Sequence, residues 1–371
     1  MKVVAIAAKY ARPDGTREIG GVETYLTQLA RALKGTCEVV VCHPAERDFE
    51  VVFPELRVVG RRTSSYQALT DHVTSRMLGE RDILLISNEQ LYASSDWKRS
   101  ITIQHGIYWD LPVQYYTRNA LARRFGHLYK AFDNWRNVRR IRPHRNVVCV
   151  DHAYPTWLRA ITDTGADEAR LWIIPNNAGD QFFGIAAPPD DGTVAILFAR
   201  RFIRIRGTRQ FARVARRLVE AFPHVRITLC GDGPDGGVMR EILPESSRVK
   251  YRRADHSDMP SVLREHHVTV VPSLGSEGTS FSVTEGLAAG RAVVASAVGG
   301  IPNVILDRFN GLLVQPGDEE QLYRALGSLV ESPELRARLS EGARQSSRAQ
   351  LHFDEWARRW REVIETVASD P

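Results

Sequence analysis

The stretch Pro272-Ser273-Leu274-Gly275-Ser276-Glu277-Gly278-Thr279-Ser280-Phe281-Ser282-Val283-Thr284-Glu285-Gly286-Leu287-Ala288-Ala289-Gly290 sets two glutamates, Glu277 and Glu285, in a run of small residues, with seven residues between them. A carboxylate accepts two hydrogen bonds from a vicinal diol, the group that a ribose or a hexose offers. The loop amides and a helix predicted to start near Ser282 add positive potential for an anionic or polyhydroxylated ligand. Ser282-Val283-Thr284-Glu285 equally fits a capping box in which Glu285 only closes the helix start. A second chemical string, Ala199-Arg200-Arg201-Phe202-Ile203-Arg204-Ile205-Arg206-Gly207-Thr208, follows a predicted strand and supplies cations suited to phosphate. Gly20-Gly21 before a helical pattern, His105 after the strand at Ile101, and Cys230-Gly231-Asp232-Gly233-Pro234 are further strand-end or helix-start groups.

These residues need a framework that brings strand ends together. Apolar, β-branched runs at Val3–Ala8, Glu38–Cys42, Ile83–Ile86, Ile101–Ile103 and Val147–Val150 alternate with helix-like stretches. The pattern restarts after Pro188-Pro189-Asp190-Asp191-Gly192, read as a linker, with runs at Val194–Phe198, Arg226–Cys230, Val268–Val271, Ala292–Ala295 and Leu312–Val314. Such alternation predicts βαβ units and parallel sheets, hence an α/β chain of two doubly wound domains facing across a cleft, with ligands beyond the carboxyl ends of the strands. Short helices are expected around Glu319–Val330 and Pro333–Arg344. Trp356, Trp360 and Ile364 share one face of a last helix, Phe353–Val367, expected to cross back to the first domain. The expected divisions are 1–178, an acceptor-binding domain, 179–352, a donor-binding domain, and 353–371, the returning helix.

With 371 residues, 43% hydrophobic and 25% charged, the chain lies far from the compositions that stay unfolded. Its apolar runs are too short for a membrane span or a signal-peptide core, and a cytoplasmic protein is expected. Cys37, Cys42, Cys149 and Cys230 are too scattered for a disulfide framework or a zinc site. Of 50 basic residues 44 are arginine, which favours planar, bidentate contacts to phosphate.

The block from Pro272 to Gly290, continued by Gly299-Gly300-Ile301-Pro302, resembles the signature of the family 4 (group 1) glycosyltransferases, and the likeness runs from about residue 1 to 365. Arg200 to Gly207 is similar to that family's G-R-L-x-x-x-K-G, with Arg200 in place of Gly and Arg206 in place of Lys. Pro175-Asn176-Asn177-Ala178-Gly179-Asp180 is similar to its P-N-G-V-D. The resemblance implies a GT-B fold and a retaining transfer of sugar from a nucleoside diphosphate sugar to a glycan, lipid-linked or small-molecule acceptor. On it His105, Arg201, Arg206 and Glu277 are the catalytic group, and Gly20, Gly21, Gly231, Ser280, Phe281, Ser282 and Glu285 bind the donor. Arg201 and Arg206 would hold the diphosphate, Glu285 the ribose, Glu277 and His105 the sugar. No D-x-D is evident, so no metal and no cofactor is expected. A nucleotide-sugar epimerase and a non-catalytic sensor are the competing readings.

From Arg118 to Arg145 nine Lys/Arg face one acid, Asp133. Leu121, Phe125, Leu128, Phe132, Trp135 and Val138 form one apolar stripe there, among Arg123, Arg124, Lys130, Arg136, Arg139 and Arg140. The stripe either packs into the domain or lies on anionic lipid, a peripheral membrane contact through 118–145. No aromatic platform or nucleic-acid-binding fold accompanies it, so no nucleic-acid partner is expected.

Overall fold

A computed structural model describes residues 1–18, 20–88, 91, 95–106, 111, 113, 120–141, 146–161, 170–189, 191–275 and 277–370. The chain forms two compact units: Met1–His105, Ala131–Pro175 and Asp354–Pro371 in the first, Gly106–Lys130 and Asn176–Phe353 in the second.

The first unit's sheet contains β1 (Lys2–Ile6), β2 (Glu38–Ala45), β3 (Phe49–Val52), β4 (Arg57–Arg62), β5 (Ile83–Ile86), β6 (Ser100–Gln104), β7 (Asn146–Cys149) and β8 (Arg170–Ile173). Their order is β3-β4-β2-β1-β5-β6-β7-β8, parallel throughout except for the antiparallel β3–β4 pair. The central strands read as unbroken apolar runs because both faces of a parallel sheet are covered. Helices α1 (Gly21–Ala32), α2 (Tyr66–Arg76) and α5 (Ala153–Ile161) belong to this unit; of the two helices between β6 and β7, α3 (Ala120–Arg124) falls in the second unit and α4 (Gly126–Ile141) passes from the second into the first.

The last helix, α12 (Phe353–Ala368), belongs almost wholly to this unit. Trp360 is fully buried, and its indole N–H donates to the Tyr25 hydroxyl of α1 at 3.0 Å. Arg361 donates to the Ala32 carbonyl at the end of α1, and Arg99 to the Ala368 carbonyl. The shared face of Trp356, Trp360 and Ile364 thus buries against the first unit, as the spacing predicts. Tyr25→Phe leaves the buried indole N–H without its acceptor, so a loss of about 1–3 kcal/mol is expected in chemical denaturation of the first unit.

The second unit's sheet contains β9 (Val194–Ala199), β10 (Val225–Cys230), β11 (Val249–Arg252), β12 (Val268–Val271), β13 (Ala292–Ser296) and β14 (Leu312–Val314), in the order β11-β10-β9-β12-β13-β14. All pairings are parallel, and the order 3-2-1-4-5-6 is the doubly wound one. Strand alternation divides β9 between two cores. Ile196 and Phe198 join one with Phe211 and Leu218, while Leu197 joins the other with Val283 and Leu287. The covering helices are α6 (Thr208–Ala221), α7 (Gly236–Ile242), α8 (Met259–Arg264), α9 (Phe281–Ala288), α10 (Glu319–Glu331) and α11 (Pro333–Gln350). The segment read as a linker, Pro188–Gly192, lies inside this unit; Asp190 is outside the described residues.

Candidate active site

The second unit gathers its polar groups where β9 and β12 end. Just past β9, Arg200 turns inward: its guanidinium donates to the Ser280 hydroxyl at 2.7 Å and forms an ion pair with Glu277. Arg206, in the turn before α6, pairs with the same Glu277 oxygen. Ser273 donates its hydroxyl to that oxygen as well. The side chains of Arg200 and Glu277 are 8% and 6% exposed, that of Arg206 is 23% exposed, and Arg201 is exposed. Arg201, the neighbouring residue that the resemblance assigns to the diphosphate, is thus open to solvent, and it is Arg200 that meets Glu277.

Burial opposes charge on both members of the cluster. It lowers the affinity of Arg200 for its proton, while Glu277, although buried, is held below the usual carboxylate range by Arg200 and Arg206. A buried carboxylate with two guanidinium partners stays ionised.

Helix α9 starts at Phe281, one residue before the expected start, with Ser280 as its N-cap in extended conformation. Ser282 donates to the Ala199 carbonyl at 3.1 Å, so the helix start is tied to the end of β9. This places Glu285 in the second turn, and the capping-box reading does not hold. Glu285 is 6% exposed, with His256 Nδ1 at 3.6 Å. Burial, offset in part by Arg200, pushes its carboxyl up to about 8. Gly231 lies against the Arg200 carbonyl, in a turn that receives the Arg200 N–H at the Cys230 carbonyl and the Phe202 N–H at that of Asp232. Asn176 donates to the Thr279 carbonyl and Thr284 to that of Asn177, which fixes the Pro175–Asp180 string beside α9.

A carboxyl group raised from 4.5 to about 8 by folding binds more protons in the folded than in the unfolded chain between those values. Stability therefore falls as pH rises through that window. Glu285→Gln removes the titration, so the stability of the native protein relative to this variant is expected to fall by about 2–4 kcal/mol from pH 5 to pH 8, read from urea midpoints.

In the first unit, Gly20 is the extended N-cap of α1 and Gly21 its first residue, with the Glu23 carboxylate folded back against Gly20. His105 follows β6 at its carboxyl end; its Nε2–H donates to the Ser87 carbonyl at 2.9 Å and its ring meets Tyr25 edge-on at 4.9 Å. Burial pushes its pKa down to about 4, so the imidazole is neutral near pH 7. Its contribution to pH dependence has the opposite sense, with stability lost as pH falls from 6.5 towards 4.

Residues 193–332 match the profile of the family described as glycosyl transferases group 1. The chain is similar to the phosphatidyl-myo-inositol mannosyltransferase of Mycolicibacterium smegmatis, 28% identical over 46% of this chain and 43% of that protein. It spans under half the length of the first curated relatives it matches. Among solved structures it is similar to sucrose-phosphate synthase from Thermosynechococcus elongatus (TM-score 0.73, 18% identity, 99% and 98% of the two chains covered). It is similar also to Anabaena HepE in complex with UDP and glucose (TM-score 0.72, 16% identity, 100% of both). The chain has the GT-B fold and carries, over residues 193–332, the module of the group 1 glycosyl transferases.

Proposed function

We propose that the protein is a retaining, metal-independent glycosyltransferase that moves a sugar from a nucleoside diphosphate sugar to a hydroxyl-bearing sugar or lipid acceptor. The observation that carries this reading is the cluster of Arg200, Arg206 and Glu277 beside the start of α9. When the glycosidic bond breaks, the diphosphate leaves with the bonding electrons and gains negative charge. Preorganised guanidinium groups stabilise that charge more in the transition state than before it. The acceptor oxygen bonds to the sugar carbon from the face the diphosphate leaves, and its proton passes to the departing phosphate.

In this reading Arg200 and Arg206 hold the diphosphate, and Glu285 accepts from the ribose hydroxyls. Gly231 and the amides of Ser280, Phe281 and Ser282 border the donor, and Gly20 and Gly21 offer amides to its phosphate. Glu277 positions both arginines and the transferred sugar, and His105 is the first unit's contact to that sugar. The bound UDP and glucose of HepE and the phosphatidyl-myo-inositol in the name of the Mycolicibacterium protein support the donor and acceptor classes. Arginine with helix amides neutralises a diphosphate without a divalent ion. The proposed location is the cytoplasm, at a membrane surface. The test is release of nucleoside diphosphate from UDP-, GDP-, ADP- and dTDP-sugars in EDTA, with the anomeric configuration of the product read by NMR. Turnover of one donor with retention is expected; an altered free sugar nucleotide without acceptor would instead mark an epimerase.

A further inference from the structure

Nine large apolar side chains are exposed among the described residues, and five of them, Leu121, Phe125, Leu128, Phe132 and Trp135, fall on α3, α4 and the residue between them. Spaced by four and three residues, they lie along one face. A stripe that the sequence allows to be buried is thus turned outward, at 61% exposure for Leu128 and 56% for Phe132. Val138, Arg139 and Arg140 have side chains outside the described residues.

Within the segment that carries the stripe the charge is one-sided. Arg123 and Arg124 are exposed, and Arg136 is half-exposed. The segment's one acid, Asp133, is buried on another side of α4 and paired with Arg136, so it presents no negative charge beside the stripe. A second copy of this chain would bring one +8 segment against another. A nucleic acid would match the charge but leaves the aliphatic Leu128 without a role. Among the described residues no helix is long and apolar enough to cross a membrane. Short helices with an apolar face, flanking arginines and a tryptophan suit the interface of an anionic bilayer, where the ring and alkyl groups enter the acyl boundary and the cations meet the headgroups.

We infer that α3 and α4 form an interfacial docking surface for an anionic phospholipid bilayer. The inference rests on the exposed stripe and its charge, independently of the transfer reaction. The experiment is co-sedimentation of the full chain with vesicles of phosphatidylcholine alone and with about a third phosphatidylglycerol. Binding to the anionic vesicles is expected to exceed that to the neutral ones about tenfold or more and to weaken with salt. Leu128→Asp/Phe132→Asp and, separately, Arg123→Glu/Arg124→Glu are expected to abolish it while circular dichroism and melting midpoint stay unchanged. No binding by the native chain, or full binding by Leu128→Asp/Phe132→Asp, would overturn the inference. So would a native dimer that the aspartates convert to monomer, or equal retention on DNA that they leave unaffected. Sugar transfer to a soluble acceptor is measured alongside, so that loss of docking and failure of the proposed activity are told apart.

Discussion

Arg206→Ala is expected to lower the turnover of the nucleotide sugar by about two to three orders of magnitude while the second unit stays folded. Arg206 is the more accessible of the two arginines on Glu277, and it sits in the turn that leads into α6. Its removal deletes a cation from the place where a leaving diphosphate gains charge, so kcat falls with the chemical step. Fold is retained because Arg200 remains as partner to the buried Glu277 and Ser273 still donates to it. Arg200→Ala is expected to reduce turnover as strongly and to cost stability in addition, because the guanidinium also bridges to Ser280 and is the more buried. Arg201→Ala is expected to keep the native melting midpoint, since an exposed arginine is substituted at little cost to stability, and its rate reads whether this neighbouring cation also meets the diphosphate. Steady-state kinetics on the three variants, with melting midpoints, separate the roles.

Gly299→Ala is expected to be the most damaging single methyl group in the second unit. Gly299 has φ +51°, and a Cβ there would lie 1.8 Å from the Glu277 carbonyl oxygen, a backbone atom that cannot swing away. The neighbouring Gly300 N–H donates to that same carbonyl at 3.1 Å, so displacing it breaks the contact that fixes Glu277's backbone. Backbone strain and this lost contact together are expected to cost about 3 kcal/mol or more. For a domain of this size that lowers the melting midpoint by roughly 6–12 °C. Gly237→Ala is the control: a Cβ at Gly237 in α7 meets nothing within 4 Å, and alanine there is expected to be neutral or stabilising by about 0.5–1 kcal/mol. Gly299→Ala melting like the native protein would remove the role assigned to the Gly299-Gly300 turn.

The parts of the fold that could be read from the residues are those where burial is complete. β5 is apolar from end to end, and β1, β12 and β13 are so but for Lys2, Thr269 and Ser296, because both faces of the sheet are covered. β3, β4, β8 and β11 are absent from the sequence reading, and all four lie at or next to a sheet edge. There the burial alternates or is partial, as in the half-exposed Arg170-Leu171-Trp172-Ile173 and Val249-Lys250-Tyr251-Arg252, so no continuous apolar run marks them. Within the site, the spacing of Glu277 and Glu285 and the glycines after them were legible because a close backbone approach admits little else. The choice between Arg200 and Arg201 was not, since two adjacent arginines carry the same chemistry and only the twist of the chain after Ala199 decides which meets Glu277. The outward stripe on α4 was equally undecided, because an amphipathic pattern states that a face is apolar and not what covers it.

On the proposed function, Arg200 and Arg206 bind a nucleoside diphosphate. The most direct measurement is the melting midpoint of the native protein and of an Arg200→Met/Arg206→Met variant with UDP, GDP, ADP and dTDP in turn, each in EDTA. A ligand that binds the folded state at about 100 times its dissociation constant adds about 2.7 kcal/mol, or roughly 5–10 °C for a domain of this size. One nucleotide is expected to raise the native midpoint by that amount and to leave the variant unmoved. A native protein indifferent to all four nucleotides, or a variant shifted as far as the native one, would show that Arg200 and Arg206 do not hold a nucleoside diphosphate.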